Sequence, residues 1–128
     1  MRFPFNLLMK PLGAIGIDRT PRGPLNERPG FVAIMTELFN TNDELIIVIT
    51  PEGTRSRNDK WKTGFYHVAK AANVPILLGY VDYKRKVAGI GQTICVSDYD
   101  TDMKKIMAFY KSIHPKFPEK FALDADFV

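Results

Sequence analysis

Leu45-Ile46-Ile47-Val48-Ile49-Thr50-Pro51-Glu52-Gly53-Thr54-Arg55-Ser56-Arg57-Asn58 is the stretch on which the reading of the fold turns. Its first five residues are apolar without a break and mostly β-branched, the pattern of a short strand covered on both faces. Pro51 and Gly53 stop it. Toward the N-terminus, Phe31, Val32, Ile34, Met35, Leu38 and Phe39 recur at helical spacing and predict an amphipathic helix over about 30–42. Toward the C-terminus, Phe65, Val68, Ala69 and Ala72 predict a second helix over about 63–73, with Asn73 as its stop. Pro75 to Tyr83 reads as the next strand, Lys84-Arg85-Lys86 as a polar turn, and 87–97 as a returning strand. Met103, Ile106, Met107, Tyr110 and Ile113 mark a last helix, with Asp100, Thr101 and Asp102 as cap and first-turn acids. The order implies an α/β fold: layered, with a mainly parallel sheet flanked by helices and one antiparallel strand. Ligands in such folds bind beyond the carboxyl ends of the strands, which directs attention to the loop after Ile49.

The composition is that of an ordinary globular chain. With 128 residues, 45% hydrophobic and 25% charged, it suits one domain over 1–128 and argues against disorder. No apolar run approaches the roughly 18–20 residues that cross a bilayer. Met1–Pro11 carries Phe3, Phe5, Leu7, Leu8 and Met9, but prolines interrupt it and it lacks a signal-peptide cleavage site. The net charge of +4 suits phosphorylated small molecules, anionic lipid surfaces or nucleic acid without choosing among them. The single Cys95 excludes an internal disulfide and a multi-cysteine metal site, reads as a small buried side chain, and fits a reducing cytosolic setting. Neither G-x-x-x-x-G-K-[ST] nor G-x-G-x-x-G occurs, and no stacking motif with interleaved basic residues marks a nucleic-acid binder.

The loop Thr50–Asn58 combines a glycine, three hydroxyls, two guanidiniums and a carboxylate at the mouth of the expected strand. Arginine forks match phosphate oxygens bidentately, and Lys60 and Lys62 add charge. The same residues also describe a solvated turn with its charges in water. Pro51-Glu52-Gly53-Thr54-Arg55-Ser56 resembles the most diagnostic motif of the glycerol-phosphate acyltransferases, the family that includes the lysophosphatidic acid acyltransferases. Gly16-Ile17-Asp18-Arg19 resembles the upstream block of that family, Val74-Pro75-Ile76 the downstream block that opens a strand, and Lys62-Thr63-Gly64-Phe65 the segment between. These ordered blocks span residues 16–76.

The resemblance implies a glycerol-phosphate-acyltransferase-like fold and a role for each matching residue. Arg19 and Arg55 would grip the acceptor phosphate. Glu52 and Gly53 would shape the acceptor site, Thr54 and Ser56 would support the loop, and Val74, Pro75 and Ile76 would line the acyl side. A local Asp18–Arg19 ion pair and a purely core role for Val74–Ile76 remain open beside these. The implied activity transfers a fatty acyl group from an acyl thioester, acyl-CoA or acyl carrier protein, to 1-acylglycerol-3-phosphate or a related acceptor. No other cofactor and no metal is implied.

The resemblance also implies a His-x-x-x-x-Asp block upstream of Arg19, whose histidine deprotonates the acceptor hydroxyl while its aspartate orients the ring. No histidine precedes Arg19. Five residues after His67 stands Ala72, and five after His114 stands Glu119, in a proline-interrupted context past the last block. The expectation is an N-terminally truncated acyltransferase domain that is inactive alone, whether from a shortened gene, a late start assignment or degeneration. The alternative is a non-catalytic module that binds phospholipid or lysophospholipid. Partners implied are a lysophospholipid or glycerol phosphate, the acyl carrier, and the cytoplasmic face of a membrane in a peripheral mode, with no nucleic acid. Phe3, Phe5, Leu7 and Leu8 either rest at that interface or cover the end of the core. Loss of a covering layer also predicts an uncovered apolar face or a homo-oligomer.

Overall fold

The structure, a computed structural model, describes residues 30–128. The apolar stretch Met1–Pro11 and the Asp18–Arg19 block lie outside the described residues. Val32–Val128 forms one compact unit.

Helix α1 spans Phe31–Asn40 and fully buries Met35. It stops where the side chains of Thr41 and Asn42 donate to the carbonyls of Glu37 and Leu38, both at 2.8 Å. Helix α2 spans Gly64–Ala72. Asn73 ends it as expected, in the left-handed region at φ 53°, and the amide of Val74 returns to the Ala69 carbonyl at 3.0 Å. Strands β1 (Ile76–Asp82) and β2 (Val87–Ile94) form an antiparallel hairpin around the Lys84–Lys86 turn. Helix α3 runs Tyr99–Lys111, and its cap is Asp98, whose carboxylate accepts from the Thr101 amide at 2.9 Å. A short 3₁₀ turn covers Pro118–Lys120.

The mixed helix and strand content agrees with an α/β chain, but the mainly parallel sheet is not found: the sheet among the described residues has two antiparallel strands. The difference lies at Leu45–Ile49. This segment belongs to no regular element; its side chains alternate between half-buried and exposed, and Ile46 and Val48 are 79% and 88% exposed. Apolar β-branched residues favour extended backbone, but a strand exists only when a neighbour takes its amides and carbonyls. None of the described residues does so here.

One face of the hairpin meets α3. Trp61, Leu78, Ile94, Met103, Ile106 and Met107 form the buried cluster, with Phe65, Ile76, Tyr99, Phe109 and Tyr110 packed against it. The other face leaves the apolar side chains of Leu77, Val81 and Ile90 exposed. Cys95, expected to be buried, is exposed, because it follows β2 directly and Ile94 takes the inward position.

Asp102, a first-turn acid of the last helix as expected, is also fully buried. Its carboxylate accepts from the Tyr66 hydroxyl at 3.0 Å, the Ser97 amide at 2.7 Å and Lys105 at 3.3 Å, tying α2 to α3 and to the end of the hairpin. Burial alone would raise its pKa. The Ser97 amide, the Tyr66 hydroxyl and Lys105 outweigh that and keep it below the ordinary carboxylate value. Burial and the same bond push the Tyr66 phenol up to about 12.

Between Leu77 and Gly79 the register slips, so that Gly91 and Gln92 of β2 stand opposite Leu78 alone. The bulge sets Gly91 beneath the Phe109 ring of α3. A Cβ at Gly91 would lie 2.3 Å from that ring. Gly91→Ala is therefore expected to force Phe109 off the hairpin and destabilise the chain by about 1–3 kcal/mol. Urea unfolding of the two proteins checks this, and equal midpoints would mean that the helix does not depend on the bare backbone at Gly91.

Candidate functional site

The loop after Ile49 folds back on itself. The Gly53 amide donates to the Thr50 carbonyl at 3.2 Å, with Gly53 at φ 67°, a region that disfavours a side chain. The Asn58 amide group donates to the Glu52 carbonyl at 2.8 Å and the Lys60 carbonyl at 2.7 Å, while its oxygen accepts from the Lys60 amide at 3.1 Å. The Lys62 amide closes the base on the Pro51 carbonyl at 2.7 Å. The Thr54 hydroxyl accepts from the Ser56 amide at 3.2 Å.

The C-terminal segment clamps this loop from outside. Trp61 is buried; its amide donates to Asp124 at 3.0 Å and its indole N–H to the Ala122 carbonyl at 3.1 Å. The Arg57 guanidinium donates to the Phe121 carbonyl at 2.9 Å, the Ala125 amide to the Asp59 carbonyl at 3.0 Å, and Lys60 pairs with Asp126. The hydrogen bond that Lys60 donates to Asp126, together with the Asp126 charge, raises the Lys60 pKa.

This arrangement brings out Arg55. It lines an open depression of about 430 Å³ with Pro115, Lys116, Phe117, Lys120 and Phe121. Gly53, Thr54, Arg55 and Ser56 are exposed, and Glu52 is half-buried. Burial and the nearby Glu52 charge together raise the pKa of Tyr110, whose hydroxyl donates to the Gly79 carbonyl at 2.8 Å. Val74 is half-buried, Pro75 is exposed, and Ile76 opens β1 against the core; none of the three lines the Arg55 depression. Arg19 lies outside the described residues.

His67 is exposed and stacks on Tyr99 at an interplanar angle of 5°. His114 has an acid partner after all, in space rather than at sequence spacing. Its Nδ1 lies 3.1 Å from Oδ2 of Asp82, which is fully buried and 32 residues away in the chain. Asp82 also accepts from the Arg85 amide at 2.8 Å, closing the hairpin turn. A carboxylate-oriented histidine with its ring 44% exposed has the build of a general base. A spacing test along the chain had no means of finding it. A second depression, of about 290 Å³, lies beside this pair and is lined by Val81, Asp82, Tyr83, Lys86, Val87 and Ala88.

The sequence model of the family described as Acyltransferase matches residues 2–78. No curated protein and no solved structure matches the chain. Among the described residues, no helix is long and apolar enough to cross a membrane.

Burial by itself would raise the Asp82 carboxyl, but the Arg85 amide and the His114 ring and amide outweigh it and hold it at about 2, against an ordinary 3.8. A carboxyl depressed by folding contributes stability that is complete above its unfolded value and is lost as pH falls through the folded one. The chain is therefore expected to lose stability between pH of about 4 and about 2. Asp82→Asn is expected to be less stable at neutral pH and to fall less steeply across that window. Denaturant midpoints against pH check both, and parallel profiles would remove Asp82 as the acid-sensitive group.

Proposed function

Because the chain belongs to the acyltransferase family of glycerol-phosphate and lysophosphatidic acid acyltransferases, we propose that it handles an acyl thioester, carried by coenzyme A or acyl carrier protein, and a 1-acylglycerol-3-phosphate or related acceptor. The observation that carries this reading is the presentation of Arg55. The loop Pro51–Ser56 falls within the matched segment, and its internal bonds turn the guanidinium out over a depression with apolar walls. A guanidinium fork suits a phosphate, and apolar walls suit an acyl chain. Glu52 and Gly53 set the loop's turn, and Arg19 is proposed as the second cation. Val74–Ile76 serve the acyl side only if the chain approaches from the start of β1. The products of such a reaction reside in bilayers, which supports work at a membrane surface in a peripheral mode, proposed to be the cytoplasmic face.

A second reading, a module that binds lysophospholipid without turning it over, is favoured by one sequence fact. The 128 residues contain no His-x-x-x-x-Asp. General-base catalysis is worth about 10²–10⁴-fold, so the purified chain is expected to release no thiol from acyl-CoA with lysophosphatidic acid above background. Turnover abolished by His114→Ala would instead assign the base to the Asp82-oriented ring. Arg55→Ala is expected to weaken a phosphorylated acceptor by about 1.5–3 kcal/mol, the value of a hydrogen bond to a charged group. Calorimetry of binding checks it; equal affinity for phosphorylated and dephosphorylated ligands would return the loop to a solvated turn.

A further inference from the structure

Lys116-Phe117-Pro118-Glu119-Lys120-Phe121 repeats a Lys-Phe pair across the 3₁₀ turn Pro118–Lys120. The turn folds both lysines onto one aromatic ring. The Lys116 ammonium lies 5.2 Å and the Lys120 ammonium 5.1 Å from the centre of Phe117. Both lysines line the depression that Arg55 enters, with Pro115, Phe117 and Phe121 between them, and no carboxylate lines it. Among the described residues none of the three cations makes an ion pair. The bond from Arg57 to the Phe121 carbonyl at 2.9 Å ties the loop to this turn.

We propose that Lys116 and Lys120, which lie beyond the matched family segment, complete the Arg55 site, and that the composite takes the phosphate monoester head of a single-chain amphiphile. Three cations gathered in one depression repel one another. The negative face of the Phe117 ring offsets that only in part, since a cation–π contact at an exposed site is a weak attraction. A phosphate monoester supplies what is lacking: close to two negative charges near neutral pH and three acceptor oxygens, each able to accept from more than one donor. A carboxylate or a phosphodiester brings only one charge. The apolar walls have no use for a bare anion but accept the first methylenes of an alkyl chain. Phe117 is 49% exposed, so the chain has an open side through which to leave.

The inference rests on the proposed function in taking Arg55 as an anion ligand, and the two are separable. The probes are octyl phosphate below its micellar concentration, inorganic phosphate and octyl glucoside, titrated calorimetrically into the full chain. Octyl phosphate is expected to bind more tightly than inorganic phosphate, and octyl glucoside not to bind. The double variant Lys116→Gln, Lys120→Gln is expected to lose about tenfold or more in octyl phosphate affinity, the loss of at least one charged contact. The double arginine variant at the same positions is expected to keep it. All are expected to share the wild-type thermal midpoint, since both side chains are exposed. If Arg55→Ala weakens binding and the glutamine variant does not, the inference falls and the Arg55 reading stands. A loss in the glutamine variant with none in Arg55→Ala overturns the shared site. Absence of wild-type binding removes both. Equal affinity for inorganic and octyl phosphate, or equal losses in the arginine and glutamine variants, also overturns the proposal.

Discussion

The grip of the C-terminal segment on Trp61 is the constraint on which the site depends. The indole fills the core between the hairpin and α3; its N–H donates to the Ala122 carbonyl and the Trp61 backbone amide to Asp124, both residues past the last helix. Burying an indole and a backbone amide without acceptors would be costly, so the loop that ends at Trp61 is tied to a tail more than 60 residues away in the chain. Asn58, Lys62 and Gly53 then leave the loop one shape, with Arg55 outward. The family motif supplies the loop chemistry, and sequence outside the motif supplies its position.

Buried carboxylates recur as the fastening device. Asp82 closes the hairpin turn and holds His114; Asp102 joins α2, α3 and the end of β2; Asp124 holds Trp61. Asp102 and Asp124 sit where chain segments meet without regular ladders, Asp82 at the turn end of the hairpin ladder, and each takes at least two donors, the condition under which a buried charge is tolerated. A two-stranded sheet has few backbone pairs with which to organise its surroundings. Side-chain acceptors carry that task here.

The acyltransferase reading and the anion site draw on different parts of the molecule. Family membership comes from residues 2–78, while the cations and aromatics around Arg55 come from 115–121. The C-terminal turn faces the loop because the same tail that anchors Trp61 must pass over Arg57 on its way. Packing and the proposed recognition thus share one path of the chain.

Helical periodicity read correctly for the three α-helices among the described residues, because a helix carries its hydrogen bonds within itself and its apolar stripe is a local property. The hairpin was legible for a similar reason, since two strands joined by a short polar turn are each other's neighbours. The motif block Pro51–Ser56 also belonged to the sequence, being a contiguous pattern. Leu45–Ile49 was not decidable in the same way: its residues favour extended backbone, yet whether it becomes a strand depends on a partner it does not contain. Asp82 and His114, or Arg55 with Lys116 and Lys120, are pairings across distant segments, and residue spacing holds no trace of them. Only the folded chain decides those, because they depend on where the tail must run to cover Trp61.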